Sequence, residues 1–264
     1  MARRAVEALL EATNDPASST AELLERLVVT GRELVASRPA MGAIAHAVGR
    51  LVAAAHTASY LPSAELQRLV TEEGTALVAG RERAAASIAV HLAPSLRDAL
   101  VLTHSASATV HEAVRHTRPA RLYCTVSAPY EEGRRLVDDL RAEGLEAELV
   151  EDDDVQRALD TVSFVLVGAD TVYEDGSITN KVGTRPLAEA ARRTGLRTIV
   201  ACEVLKLVPA APPGVEDEPE LRDTTAAADI DEIVTEEGRL APEEIGSLID
   251  RTPFLREGYG LVTG

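Results

Sequence analysis

Asp170, Asn180 and Lys181 put an acid, an amide and an amine within a dozen residues of one another in "VGADTVYEDGSITNKVGT", residues 167–184. Asp170 follows the apolar run "SFVLV", which reads as a buried strand. A carboxyl held partly out of water at a strand end can act as a general acid or base. A turn or cap aspartate is the other reading of that position. Lys181 comes just before Gly183 and Thr184 at a helix start. Free N–H groups there, the Thr184 hydroxyl and the ammonium would together seat an anion. The alternative is an ordinary N-cap with Lys181 bridged to Asp170. Thr103, Ser105, Ser107 and Thr109 form a second cluster in "THSASAT", between a strand and a helix. That turn suits phosphate binding or helix capping equally. Of 27 basic residues only Lys181 and Lys206 are lysines. A genomic preference for arginine explains the bias, and it still singles these two out.

Other chemistries are excluded by pattern. His104, His111 and His116 make no HxxxH pair, and no CxxC exists, so no metal site is expected. GxSxG, P-loop and GxGxxG patterns are missing as well, and no cofactor is expected. Net charge is −16 and aromatics make up 3% with no Trp, which argues against a nucleic-acid-binding face. Cys124 and Cys202 lie in apolar strand-like runs and read as buried, reduced thiols of a cytoplasmic protein. "MARRAVEALLEAT" lacks a long apolar core, so no secretion signal or membrane span is expected.

The elements that must position these residues fall into two textures. Residues 1–95 read as a helical domain. Ser19 and Glu22 form a capping-box signal, "AMGAIAHAVGRLVAAAH" follows Pro39, and a long amphipathic run begins at Ser63. Residues 96–264 alternate short apolar runs ("ALVLTH", "ARLYCTV", "EAELVE", "SFVLV", "RTIVACE", "DEIVTEEG") with amphipathic helices. This predicts βαβ units and a Rossmann-like, mainly parallel sheet, an α/β fold. Residues 208–230, rich in Pro and acids, read as a surface excursion. Ligands of open α/β sheets lie beyond the carboxyl ends of the strands. That rule selects 103–109, 127–133, and 168–170 with 180–184 returning to the same rim.

These residues carry a resemblance. "VGADTVYEDGSITNKVGTRPLAEAA" resembles the signature of the translation initiation factor 2B alpha/beta/delta superfamily. "SRPAMGAIAHAVGRL", "ALVLTHSASATV" and "DEIVTEEGRLAPEEI" resemble three further segments of it, in the right order across residues 30–250. The resemblance implies a helical N-terminal domain, a Rossmann-like C-terminal domain and dimers formed through the latter. It implies a small phosphorylated ligand held by Asp170, Asn180, Lys181, Gly183, Thr184, Thr103, Ser107 and Arg38 of the Arg-Pro segment.

Some members are aldose–ketose isomerases of methylthioribose-1-phosphate or ribose-1,5-bisphosphate. Others are regulatory subunits of a guanine-nucleotide exchange factor. The isomerases use an aspartate, matched by Asp170, and a cysteine, whose place Ser105 takes. A hydroxyl is a far weaker acid than a thiol. The family's N-terminal Arg/Gly-rich phosphate loop has no counterpart in residues 1–30, and its Glu-Ser-Arg-Pro segment is here Val126-Ser127-Ala128-Pro129. These departures favour a regulatory, non-catalytic binding protein, partnered by a second copy or a related subunit. A pentose-phosphate isomerase using Asp170 with Ser105 is the alternative.

Overall fold

Apolar residues at helical spacing dominate the first hundred positions and form helices wherever a cap or a proline permits. The computed structural model describes residues 2–14, 17, 19–211 and 220–264. Its first helices are α1 (Ala2–Thr13), α2 (Thr20–Ala36), α3 (Gly42–Thr57) and α4 (Ser63–Leu96). The Ser19 hydroxyl accepts the Glu22 N–H at 3.2 Å and starts α2, as its sequence signal predicts. α4 runs through Pro94 to Leu96, slightly beyond the boundary read from the sequence. A proline in the last turn loses one intrahelical bond without ending the helix there.

The strands are β1 (Leu100–Thr103), β2 (Arg121–Thr125), β3 (Ala147–Val150), β4 (Phe164–Val167), β5 (Thr171–Tyr173), β6 (Ile178–Lys181), β7 (Thr198–Ala201), β8 (Leu207–Val208), β9 (Arg222–Thr225), β10 (Glu232–Thr235) and β11 (Gly238–Leu240). Between and after them come α5 (Ala108–Thr117), α6 (Glu132–Ala142), α7 (Val155–Leu159), α8 (Thr184–Arg193), α9 (Ile245–Arg251) and α10 (Leu255–Thr263). One sheet has the order β11-β10-β7-β4-β1-β2-β3, all parallel except β11. Its six parallel strands are the six apolar runs of the sequence. Their order reverses between β1 and β4, the doubly wound arrangement. Ile88, Leu92 and Leu96 of α4 join Val110, Val114, Leu136 and Leu140 on one face. Leu187, Ile245 and Leu248 cover the other. Burial on both faces explains why these strands read as continuous apolar runs.

A second sheet, β8-β5-β6-β9, is the element the sequence hides. The β5–β6 hairpin turns at Gly176 (φ +80°), the Asp-Gly signal. β9 falls inside the stretch expected to be a surface excursion, of which residues 212–219 lie outside the described residues. "RDTT" has no apolar alternation, so only its pairing with β6 makes it a strand.

α3 is buried on nearly every side because it is built of Ala and Gly. At Gly49 a Cβ would stand 2.6 Å from the backbone of Gly258 in α10, so these two helices touch backbone to backbone. Gly49→Ala should therefore lose roughly 1–3 kcal/mol of stability through overpacking. Gly80, in the middle of α4, faces only the flexible end of Arg83 at 3.9 Å. Gly80→Ala should gain about 0.4–1 kcal/mol. Urea unfolding of the two variants checks both signs. A stabilised Gly49→Ala protein would refute the helix contact.

Candidate functional site

The reversal between β1 and β4 leaves a crevice at the carboxyl ends of the strands, and a cavity of about 320 Å³ opens there. His104, Ser105, Ala106, Ser107 and Ala108 line it from the end of β1 into α5. Tyr130 and Glu132 enter after β2, Ala169 and Asp170 after β4, and Lys206 after β7. The small sheet adds Asn180, Lys181, Leu221 and Arg222. Ser105, Ser107, Asp170, Asn180 and Lys181, all singled out by the sequence, thus share one cavity of a size that suits a small ligand.

Ser105 sits at φ +61°, a left-handed conformation uncommon outside glycine. A hydrogen-bond chain behind it maintains that turn. The Ser105 N–H donates to Ser127 Oγ at 2.7 Å, and the Ser127 and Thr125 hydroxyls are 2.8 Å apart. Thr125 Oγ1 lies 2.6 Å from His104 Nδ1, and His104 Nε2 is 2.8 Å from Val182 O. A carbonyl only accepts, so Nε2 carries a proton. Burial pushes the His104 imidazole below its usual pKa, so Nδ1 is the acceptor from Thr125. Asp152 fixes the next turn by accepting the N–H groups of Ser127 and Ala128, each at 2.9 Å. Cys124 lies beneath, fully buried, with its thiol pushed up to about 12 by burial.

Charged groups in the cavity are paired in a pattern the sequence did not suggest. Lys181 does not bridge to Asp170. Arg222 Nε meets Asp170 Oδ2 at 2.9 Å, and Lys181 Nζ meets Glu132 at 3.1 Å with the Tyr130 ring centroid 4.5 Å away. The β6–β9 register explains this. Lys181 and Arg222 are direct cross-strand neighbours, so each takes a different carboxylate. Lys206 Nζ pairs with Glu203 at 3.3 Å, and Glu203 accepts the Thr109 hydroxyl at 2.9 Å. Burial raises the Glu203 pKa, but Lys206 and the hydrogen bonds outweigh it and leave the carboxyl below its usual value.

Other expected contacts are corrected. The start of α8 is not open to a ligand. Asp223 Oδ2 accepts the Gly183 N–H at 2.7 Å, and Oδ1 accepts the Arg185 N–H at 3.0 Å. The protein's own carboxylate fills that anion seat. Thr184 turns inward, donating to Lys181 O at 2.6 Å and accepting from Asn180 Nδ2 at 3.0 Å. Thr103 is fully buried in β1 and does not line the cavity. Arg38 is exposed and does not line it either. Its segment reaches the site edge through backbone instead. Thr171 Oγ1 donates to Ala40 O at 2.9 Å and accepts the Gly42 N–H at 2.7 Å. The helix end that does face the cavity is that of α5, where Ser107 Oγ caps the Val110 N–H at 3.3 Å and the Ala108 and Thr109 N–H groups have no intrahelical acceptor.

Sequence reasoning did not name Tyr130, Glu132, Lys206 or Arg222 as ligand contacts. Tyr130 and Glu132 lie in the selected rim segment 127–133, Lys206 carried the scarcity of lysine, and Arg222 carried no signal. Among the described residues no group of three or more His, Cys, Asp or Glu could hold a metal, and no helix is long and apolar enough to cross a membrane.

Gly168 is the tightest point of the site. A Cβ there would lie 2.4 Å from Ser107 Oγ and 2.7 Å from Ser107 Cβ. Gly168→Ala should destabilise by roughly 1–3 kcal/mol, and adding Ser107→Gly should restore most of it because both clashing atoms are gone. A double-mutant cycle by denaturant unfolding tests this. Additive losses would mean that the two residues do not touch.

Comparison with known proteins agrees with this fold. The profile of the Initiation factor 2 subunit family matches residues 1–253. The ribose 1,5-bisphosphate isomerase of Haloferax volcanii is 30% identical, covering 89% of this chain and 81% of that protein. A putative translation initiation factor eIF-2B subunit 2-like protein of Pyrococcus horikoshii is 29% identical over 79% of this chain and 73% of its own. Among solved structures, the Pyrococcus horikoshii translation initiation factor eIF-2B superposes with TM-score 0.78 at 24% identity, over 91% of this chain and 90% of that one. The tetrameric eIF2B-beta2-delta2 complex from C. thermophilum gives 0.81 at 20% identity, over 94% and 86%. At these identities the solved structures speak for the fold alone. With its doubly wound sheet, its preceding helices and this sequence match, the chain belongs to the Initiation factor 2 subunit family.

Proposed function

We propose that the cavity binds a small phosphorylated ligand, a sugar phosphate or nucleotide, and that this chain is a regulatory, non-catalytic member of its family. One observation carries the reading. The only two lysines among 27 basic residues, Lys181 and Lys206, both line this cavity. A compact ammonium is a point charge suited to phosphate, and arginine serves every other cationic position. The start of α5 supplies N–H groups for the phosphate, with Lys206 tied beside it through Glu203 and Thr109. Paired residues such as Asp170–Arg222 offer acceptors and donors for hydroxyls.

A specific observation also favours the isomerase reading: Asp170 lies in the cavity, and the Haloferax volcanii relative is a ribose 1,5-bisphosphate isomerase. Against it stand Ser105 in place of the thiol and the buried, unreactive Cys124. Assembly with a second copy or a related chain is proposed on family kinship. Light scattering giving a mass of only 28.0 kDa would count against it.

Thermal unfolding with ribose 5-phosphate tests the binding. A ligand at 100 times its Kd adds about 2.7 kcal/mol of stability, a rise of several degrees in Tm. Lys206→Gln, compared with its own ligand-free baseline, should abolish the rise. The same preparations, incubated with ribose 1,5-bisphosphate, should give no ketose product. Ser105→Cys should yield at most a trace, since general acid–base help is typically worth about 10²–10⁴-fold. Turnover by the unmodified protein that Asp170→Asn abolishes would establish the isomerase instead.

A further inference from the structure

The cavity's cations are already matched by the chain's own acids. Lys181, Lys206 and Arg222 pair with Glu132, Glu203 and Asp170 respectively, and His104 is held toward its neutral form. Among the described residues these three pairs cancel in charge, with Glu203 just outside the cavity lining. Two of the pairs are anchored in the sheet framework: Glu203 follows β7, and Asp170 ends the β4 turn. Glu132 differs, because it reaches over from the start of α6 to cover Lys181.

That reach is built into the backbone. The Glu131 N–H donates to Ser127 O at 3.1 Å, and the Gly133 N–H to Val126 O at 3.2 Å. Gly133 lies so close to β2 that a Cβ would overlap Thr125 O, at 1.8 Å. Glu132 is thus held between two fixed neighbours. Its side chain is 35% exposed, while that of Lys181 is only 10% exposed. Tyr130 closes on the ammonium from the same loop, 4.5 Å from ring centroid to Nζ. Ordinarily an acid in a first helical turn faces its own helix N–H groups. Glu132 instead gives its carboxylate to a lysine across the cavity.

We propose that Glu132 is a specificity-determining residue. By serving as the counter-ion of Lys181 it occupies the second anion seat, so the cavity accepts a ligand carrying one phosphate and rejects one carrying two. This rests on the reading of the cavity as a phosphorylated-ligand site. A first phosphate finds the α5 start beside Lys206. A second phosphate directed to Lys181 meets a carboxylate already in contact with the ammonium, and like charges in a partly desolvated site repel strongly. Hydroxyls face no such barrier, because a carboxylate–ammonium pair can both accept from them and donate to them.

Calorimetric titration with ribose 5-phosphate and ribose 1,5-bisphosphate tests the proposal. The unmodified protein should bind the monophosphate more tightly. Glu132→Gln, nearly isosteric and on a partly exposed side chain, should raise the ratio of bisphosphate to monophosphate affinity about tenfold or more. Glu132→Ala, which needs no new hydrogen bond, should give the same reversal, whereas Glu132→Asp, which keeps the charge, should keep the original preference. An unchanged preference in Glu132→Gln and Glu132→Ala, with ribose 5-phosphate still bound, overturns the role of Glu132 alone. A tighter bisphosphate complex in the unmodified protein overturns it too. No binding of either sugar phosphate to any of these proteins overturns both this proposal and the ligand reading beneath it.

Discussion

The pairing of β6 with β9 is the constraint from which the site follows. Its register sets Lys181 opposite Arg222 and Asn180 opposite Asp223. From those four positions Arg222 reaches Asp170, Asp223 fills the end of α8, and Asn180 ties down Thr184. Lys181 is left to turn toward α6 and Glu132. A slip of one residue would reverse every side chain on β9 and separate all these partners at once. Thr171, next along the hairpin from Asp170, carries the same arrangement to the helices by clasping Ala40 and Gly42.

Placing several charges in one partly buried crevice demands partners, since an unpaired ion out of water is unfavourable. Here each lysine or arginine lining the cavity has an acid, and the α8 end that would attract an anion is filled from β9. Burial raises the Asp223 carboxyl, opposed by the two N–H groups it accepts. An arrangement so matched would bind an anion by exchanging partners or by using the Ala108 and Thr109 N–H groups left at the start of α5. This is why charge number, more than shape, becomes the property by which the site would tell ligands apart.

The turn at Ser105 shows the same economy applied to backbone. A non-glycine residue at positive φ persists only where its surroundings hold it. His104, Thr125 and Ser127 do so through hydrogen bonds that also satisfy buried polar groups. The hydrogen-bonded scaffold of this turn is therefore complete, with a serine at its tip. Gly168 shares in this, for its missing side chain makes room for Ser107, the cap of α5.

By itself the sequence determined the architecture. Six apolar runs spaced by amphipathic helices dictate a parallel sheet, and their strand ends locate the ligand rim, because burial on both faces leaves an unbroken apolar signature. It also marked Ser105, Ser107, Asp170, Asn180 and Lys181, since polar residues crowded just after buried strands have few other places to go. The tertiary structure alone decided which of these line the cavity and which face one another. "RDTT" carries no apolar period, so β9 exists only through its hydrogen bonds to β6, and with it came Arg222 and Asp223. Gly183 and Thr184 look like an anion seat until Asp223, some 40 residues further along the chain, arrives to fill it. Glu132 lies 49 residues from Lys181 in sequence and 3.1 Å from it in space. Pairings between charges follow from packing distance, and linear spacing records no such distance once the chain has folded back across a sheet.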